Sequence, residues 1–497
     1  MSNQRTYYDL LGVSPLASDE EIKRAYRQLA KQYHPDTSVS DDATRMFQEV
    51  HQAYETLIDA RARALYDSQI QVVGRSALPA PFKLNTTCSH PNLRIMDDPQ
   101  MLYVLTEIKA TPRYEVKRPM LNLCLVLDNS LSMDGPRLQQ AREAAIYLID
   151  HLYESDILSI VLFSDRASVV VEGPLGLDRA TAKANVRAIG PDGGTELLNG
   201  ISLGLEMLRK WRKPGSLDRL ILLTDGQTYG DEAGCLEASD AALREKIGMT
   251  LLGLGHDWND KLLDEMASRS SGFSAFIDSP AKLLSVFQDH FRELSDVLVP
   301  NLTLECRLSK QAQIRSMYRL TPDITRLSID GTVTPLGSLE ISRPIYVLFE
   351  LVVNGPKTAG DLHIMRIKVS GELLSLENNY QETATDVSIA FSEQTNPSWK
   401  VPGELANILA RIAAFKVQEK AMNEVEQGDY TRATNRLKVL ATHLLNFGEV
   451  ELARVALLEA DDLARTGQLS EEGRKRIHYG TRSLSQTVLL SENREEG

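Results

Sequence analysis

The chain has 497 residues, enough for about three to five domains, and its 42% hydrophobic and 25% charged residues are an ordinary globular balance. A formal net charge of −13 argues against broad binding to nucleic acid or anionic membrane, and no apolar run approaches the roughly 18 residues that a membrane span needs. The four cysteines, Cys88, Cys124, Cys235 and Cys306, show no paired spacing, so neither a disulfide framework nor a zinc site is expected, and the start MSNQRTYYDLLGV lacks a secretory signal, which makes the cytoplasm the expected compartment.

Residues 5–68 read as a compact helical domain. Ser18 to Glu21 has the form of a capping box, with Asp19 and Glu20 favourably placed in the positive first turn of the helix that follows. That helix carries Ile22, Tyr26, Leu29 and Tyr33 at spacings of three and four, one buried face. Lys23, Arg24, Arg27 and Lys31 fall largely on the other side as a basic strip. His34-Pro35-Asp36 ends the helix, because proline disfavours helical geometry in the residue before it. A second helix over about 41–58 turns Phe47, Val50, Tyr54 and Leu57 inward, and a short third one covers about 60–66.

The segments YYDLLGV, EEIKRAYRQLAKQYHPD and FQEVHQAYETLIDARARALYD, in this order, resemble a DnaJ-type J-domain along its whole length. The resemblance implies a DnaK-type chaperone as partner. His34, Pro35 and Asp36 would trigger its ATP hydrolysis, and Lys23, Arg24, Arg27 and Lys31 would dock on its acidic surface. No Gly/Phe-rich segment and no Cys-x-x-Cys repeats follow, which sets the chain apart from general DnaJ chaperones.

Residues 69–85, with Gly74, Ser76, Pro79 and Pro81, read as a linker. Residues 86–119 hold a strand over about 101–108 that is expected to pair with strands much later in the chain. From 120 to 297, strands and helices alternate, which implies a doubly wound parallel sheet. Strands are expected at 121–128, 156–163, 168–172, 218–224, 249–254 and 273–277. Helices are expected at 136–153, 179–188, 196–211, 236–246, 260–268 and 280–297.

The first strand of this segment ends as LNLCLVLDNSLS, an apolar run closed by Asp128, Ser130 and Ser132. In an open parallel sheet, ligands bind beyond the carboxyl ends of the strands. A carboxylate and two hydroxyls are hard oxygen donors that suit Mg²⁺ or Ca²⁺ better than zinc or copper. GPDGGTELLNG then places Thr195 at a helix start, after a glycine pair that lets backbone approach closely. LILLTDGQT places Asp225 just past a second apolar strand, at the same sheet edge.

Asp128, Ser130, Ser132, Thr195 and Asp225 together resemble the metal-ion-dependent adhesion site of the von Willebrand factor A domain, and the order of the intervening elements agrees. The resemblance implies Mg²⁺, with Ca²⁺ or Mn²⁺ as alternatives, and a protein ligand whose acidic side chain completes the ion's shell. His256 and Asp257 follow the strand at 249–254, and Trp258 stands beside them as a candidate rim contact. No His-Glu-x-x-His, phosphate loop or Gly-x-Ser-x-Gly elbow is present, which disfavours a metal-dependent hydrolase.

Residues 298–396 change to the alternation of antiparallel strands, which reads as a β-sandwich into which the α/β domain is expected to be inserted, the alternative being a sandwich that follows it. Residues 402–487 are helical, punctuated by Gly428, Gly448 and Gly467. They read as a bundle packed on the sandwich rather than a tetratricopeptide pair, and 491–497 as a frayed end. The fold class is thus a helical J-domain, a doubly wound α/β domain, a β-sandwich and a C-terminal helical bundle. The expected function is a non-enzymatic adaptor without nucleic-acid or membrane partners. The alternative is a regulatory subunit of an AAA+ ATPase of the MoxR or chelatase kind.

Overall fold

The computed structural model describes residues 7–11, 13, 19–33, 41–59, 62, 66, 80–111, 118–174, 176, 178–228, 230–329, 331, 333–374, 380–393 and 399–485. The chain divides into two compact units, Met1–Pro81 and Phe82–Gly497.

In the first unit, helices Tyr7–Leu11, Asp19–Gln32 and Asp41–Ile58 surround Leu11, Ile22, Val50, Ala53 and Leu57. Tyr26 stacks on Tyr54 at 4.1 Å between ring centroids, which joins the two longer helices. Arg24 and Arg27 are exposed and Lys23 is half-buried, on the side away from Ile22. Lys31 lies in the same helix. His34, Pro35 and Asp36 lie outside the described residues, as do Ser18, most of the expected helix at 60–66 and the end at 491–497.

The second unit is built on three sheets. The α/β sheet runs β6-β5-β4-β7-β8-β9, from β4 (Met120–Asp128), β5 (Ile157–Phe163), β6 (Ala167–Val171), β7 (Ser216–Thr224), β8 (Gly248–Leu254) and β9 (Phe273–Ile277). It is parallel except for β6, which lies antiparallel on the edge beside β5. From Leu121 to Asp128 every residue of β4 is buried, because helices cover both faces. Leu121, Leu123, Leu125 and Leu127 pack with the helices Pro136–His151 and Leu283–Ser295. Cys124 and Val126 pack on the other side, with the helix Leu197–Trp211.

Two five-stranded sheets form the sandwich. One is β1-β3-β14-β11-β12, from β1 (Phe82–Cys88), β3 (Gln100–Ala110), β11 (Ala312–Arg319), β12 (Thr325–Leu327) and β14 (Ile345–Val353). The other is β13-β10-β15-β16-β2, from β2 (Asn92–Arg94), β10 (Val297–Leu308), β13 (Val333–Glu340), β15 (Gly360–Glu372) and β16 (Tyr380–Ser392). Strand β3 pairs antiparallel with β14, Ile108 opposite Ile345, although 236 residues and the whole α/β segment lie between their facing ends. The α/β domain is therefore inserted into the sandwich. Along β14, Val347, Phe349 and Leu351 enter the sandwich core. Tyr346 and Leu348 point the other way, into the helices Gly403–Glu426, Tyr430–Asn446 and Val450–Thr466. This period-two division holds the helical bundle on the sandwich.

Expected boundaries move at several points. Residues 69–85 do not all belong to a linker: Phe82 opens β1 and is 1% exposed, since the alternation starting there belongs to the sandwich core. The helix expected to reach 297 stops at Ser295, because Val297, Leu298 and Val299 are all buried, which suits a strand entering the sandwich and not one stripe of a helix. The helix expected from 236 starts one turn earlier, at Glu232. Cys88, Cys124, Cys235 and Cys306 are free thiols. No helix among the described residues is long and apolar enough to cross a membrane.

Glu340, at the end of β13, faces the junction between the α/β domain and the sandwich. Burial pushes its carboxyl up to about 8 from an ordinary 4.5, with Glu293 and Asp296 adding to the rise and Arg343 and Arg219 opposing it. The folded chain then holds a proton that the unfolded chain has lost, so this group's contribution to stability falls as pH rises through that window. Glu340→Gln is expected to leave stability near pH 5 almost unchanged and to raise it near pH 8.5 by about 1–3 kcal/mol, read by urea unfolding at the two pH values.

Candidate metal centre

The strands β4 and β7 are neighbours in register, Leu127 opposite Leu223, so Asp128 and Asp225 leave the same sheet edge side by side. Both carboxylates are fully buried, and Ser130 is 2% exposed. The turn after β4 folds back at once. Ser130 N–H donates to Asp128 Oδ1 at 2.8 Å, and residues Leu131–Met133 form a single 3-10 turn. That turn swings Ser132 over the edge, where its Oγ donates to Asp225 Oδ1 at 2.6 Å and lies 2.9 Å from Ser130 Oγ. One hydrogen-bonded run therefore links Asp128, Ser130, Ser132 and Asp225.

Thr195 arrives on a separate loop. Asp192 N–H donates to Asn129 O at 2.7 Å, Asn129 Nδ2 donates to Gly190 O at 3.1 Å and Leu131 N–H donates to Gly193 O at 3.3 Å. Gly194 N–H donates to Asp165 Oδ1 at 2.8 Å. Gly193 has φ +55°, which favours glycine, and a Cβ on either glycine would displace the Asp165 carboxylate, standing 2.5 Å from its Oδ2 (Gly193) or 2.6 Å from its Oδ1 (Gly194). The loop leaves Thr195 half-buried against Gly226, with its Oγ1 3.0 Å from where a Cβ on Gly226 would sit.

All five residues singled out from the sequence thus meet at one edge. They offer two carboxylates and three hydroxyls, an all-oxygen set that fits a hard divalent cation. Among the described residues there is no cluster of three or more His, Cys, Asp or Glu side chains able to hold a metal. Burial pushes the Asp128 carboxyl above its ordinary range and the neighbouring Asp225 adds to this, while hydrogen bonds from Ser130 and Thr224 oppose it. Bringing two buried carboxylates together favours whatever cation relieves them.

Two residues of the site escape the motif. Thr224 Oγ1 donates to Asp128 Oδ2 at 2.7 Å and accepts from Gly226 N–H at 3.2 Å. At the end of LILLT it gives no sequence signal. Arg137 pairs its Nη1 with Asp225 Oδ2 and donates to Ser132 O at 3.2 Å. Its position does carry a signal: Arg137 lies in the first turn of the helix Pro136–His151, where the helix dipole disfavours a cation unless a specific anion holds it.

Trp258 is not a rim contact. It is 1% exposed, and its Nε1 donates to Gly255 O at 2.8 Å. Gly253, whose Cβ would fall 2.0 Å from the indole, leaves the space that the ring fills. His256 is half-buried and faces Glu472 at 3.6 Å, and Asp257 is exposed.

Three family models match the chain: a DnaJ domain over residues 6–67, a von Willebrand factor type A domain over 122–289, and the Sll0103-like, C-terminal alpha-helical domain over 403–487. The chain joins a J-domain to a von Willebrand factor A domain. An uncharacterised protein of Synechocystis sp. is 29% identical over 385 residues, 75% of this chain and 89% of its own length. The chaperone protein DnaJ of Erysipelothrix rhusiopathiae is 55% identical over 67 residues, 14% of this chain and 18% of its own length. The solved structure of a von Willebrand factor type A protein from Catenulispora acidiphila superposes with a TM-score of 0.67, covering 82% of this chain and 98% of its own at 18% identity, a likeness of fold.

Replacing Thr224 by Val leaves one oxygen of a buried carboxylate without its donor. Thr224→Val is expected to destabilise the chelator-treated protein by about 1–3 kcal/mol in urea unfolding; an unchanged midpoint would count against this role of the hydroxyl.

Proposed function

We propose that the chain is a cytoplasmic adaptor and not an enzyme. Its A domain grips an acidic side chain of a partner protein through Mg²⁺, and its J-domain brings a DnaK-type chaperone to that partner and stimulates ATP hydrolysis there. The observation that carries this reading is the run Asp128–Ser130–Ser132–Asp225 with Thr195 beside it, in a chain that also has a J-domain. The hydroxyls of Ser130, Ser132 and Thr195 and the carboxylate of Asp128 would hold the ion, with Asp225 behind them through the Ser132 hydroxyl. Bound there, it would supply an electrophilic position for a carboxylate from outside. Arg24 and Arg27, exposed on the Asp19–Gln32 helix, support docking on an acidic chaperone surface, with His34, Pro35 and Asp36 as the trigger.

The rim supports a definite partner chemistry. Leu131, between the two serines, is 66% exposed. Asp134, Asp165, Asp192 and Glu196, on the loops that build the site, are exposed carboxylates. A partner segment that fits has one acidic residue, an apolar neighbour to cover Leu131, and basic residues around them.

The test has two arms. The purified full chain is expected to stimulate single-turnover ATP hydrolysis by its cognate DnaK-type chaperone, and His34→Gln to abolish that stimulation; no stimulation by the wild type contradicts the chaperone arm. In affinity purification read by mass spectrometry, Asp128→Ala is expected to lose a partner that His34→Gln keeps. Equal capture by Asp128→Ala contradicts the metal arm. Loss of an AAA+ ATPase from the Asp128→Ala sample would move the reading to a regulatory subunit.

A further inference from the structure

Both oxygens of Asp225 are already engaged by the chain itself. Ser132 Oγ donates to Oδ1 at 2.6 Å, and the Arg137 guanidinium holds Oδ2. Arg137 is partly exposed, with the loop at Gly255 on one side of it. Gly255, at φ +74°, presents a bare Cα to it, and a Cβ there would stand 3.2 Å from Arg137 Nη2.

Gly255 opens the loop between β8 and the helix Asp260–Arg269, and the C-terminal domain grips that loop. Lys475, from the helix Glu471–Arg482, is fully buried. Its Nζ donates to His256 O at 2.6 Å and to Trp258 O at 2.5 Å, and sits 4.5 Å from the centre of the Trp258 ring. Trp258 passes the restraint on through its bond to Gly255 O at 2.8 Å. Arg474 forms a bidentate pair with Asp260 at 2.7 and 2.8 Å at the far end of the loop.

We propose that Arg137 is a tethered counter-cation that keeps Asp225 out of direct contact with the metal ion, and that the C-terminal helical domain holds it there through Lys475, the His256–Trp258 carbonyls and Gly255. The inference rests on the metal reading above. A guanidinium and a divalent cation compete for one carboxylate, and like charges this close repel. Arg137 therefore weakens cation binding while leaving the ion short of negative charge, the state in which a partner's carboxylate is held most strongly. Arg137 and Lys475 act as positioning residues, and the helical domain becomes part of the metal site's wall.

The test is Mn²⁺ affinity of the full chain, read by electron paramagnetic resonance of free Mn²⁺ with Mg²⁺ competition. Arg137→Met is expected to bind Mn²⁺ about fivefold or more tighter than wild type. Lys475→Met moves affinity in the same direction by less, and the double variant matches Arg137→Met alone, because one acts through the other. Arg482→Met serves as the control. It cuts the same helix from Asp264, 2.8 Å away, and is expected to lower thermal stability with no change in Mn²⁺ affinity. Should Lys475→Met not fold, Gly255→Ala, which pushes Arg137 from the loop side, is expected to tighten Mn²⁺ binding too. Unchanged or weaker binding by Arg137→Met overturns the counter-cation. Arg137→Met tightening with neither Lys475→Met nor Gly255→Ala following overturns the role of the helical domain. No Mn²⁺ binding by the wild type overturns the metal reading, and the proposal with it.

Discussion

Two carboxylates, Asp128 and Asp225, are carried fully buried to the ends of adjacent strands, and the surrounding structure is arranged to satisfy them. Neither could stay there unaided, since an unpaired buried charge is among the costliest groups in a protein. Asp128 is met by Ser130 N–H and the Thr224 hydroxyl, Asp225 by the Ser132 hydroxyl and Arg137. The tight turn after β4, the glycine pair at 193 and 194 and the bare Gly226 all follow from bringing these donors to one edge. Each donor that the chain supplies is also a means of tuning how much negative charge remains for an outside cation.

The insertion ties the α/β domain to the sandwich at both chain crossings. Chain enters the α/β domain from β3 and leaves it into β10, both strands of one sandwich, so the domain is held at both of its ends. The helical bundle then reaches around from the outer face of the β14 sheet. Its Glu471–Arg482 helix anchors on Asp260 and Asp264, beside the loop that starts at Gly255. Burial raises the cost of ionising Asp264, but Arg482 and His478 outweigh it and hold that carboxyl well below the usual range. The J-domain is a separate compact unit with its own small core.

What the sequence made legible follows from which features are local. The strand LNLCLVLD and the turn NSLS sit side by side in the chain, and the period of each element showed which residues would be buried. The five oxygen donors were readable because they lie at or just past strand ends, in the turn NSLS, or at a helix start. Thr224 was not, because its role depends on Asp128, 96 residues away, and Arg137 shows only as a cation out of place in a helix first turn, with nothing local to name Asp225 as its partner. Trp258 misled for a related reason: its place after β8 put it at the rim, but the space left by Gly253 and the cation of Lys475 draw the ring inward. The junction of helix and β10 moved for want of any breaker between Ser295 and Val297.

The central claim is that the edge formed by β4 and β7 holds a divalent cation in contact with the hydroxyls of the Asp128–Ser132 turn. Anomalous diffraction from crystals of the full chain grown with Mn²⁺ tests it most directly. The account predicts one peak within coordination distance of Ser130 Oγ and Ser132 Oγ, with Arg137 still on Asp225. A peak elsewhere, or none at millimolar Mn²⁺, would contradict it.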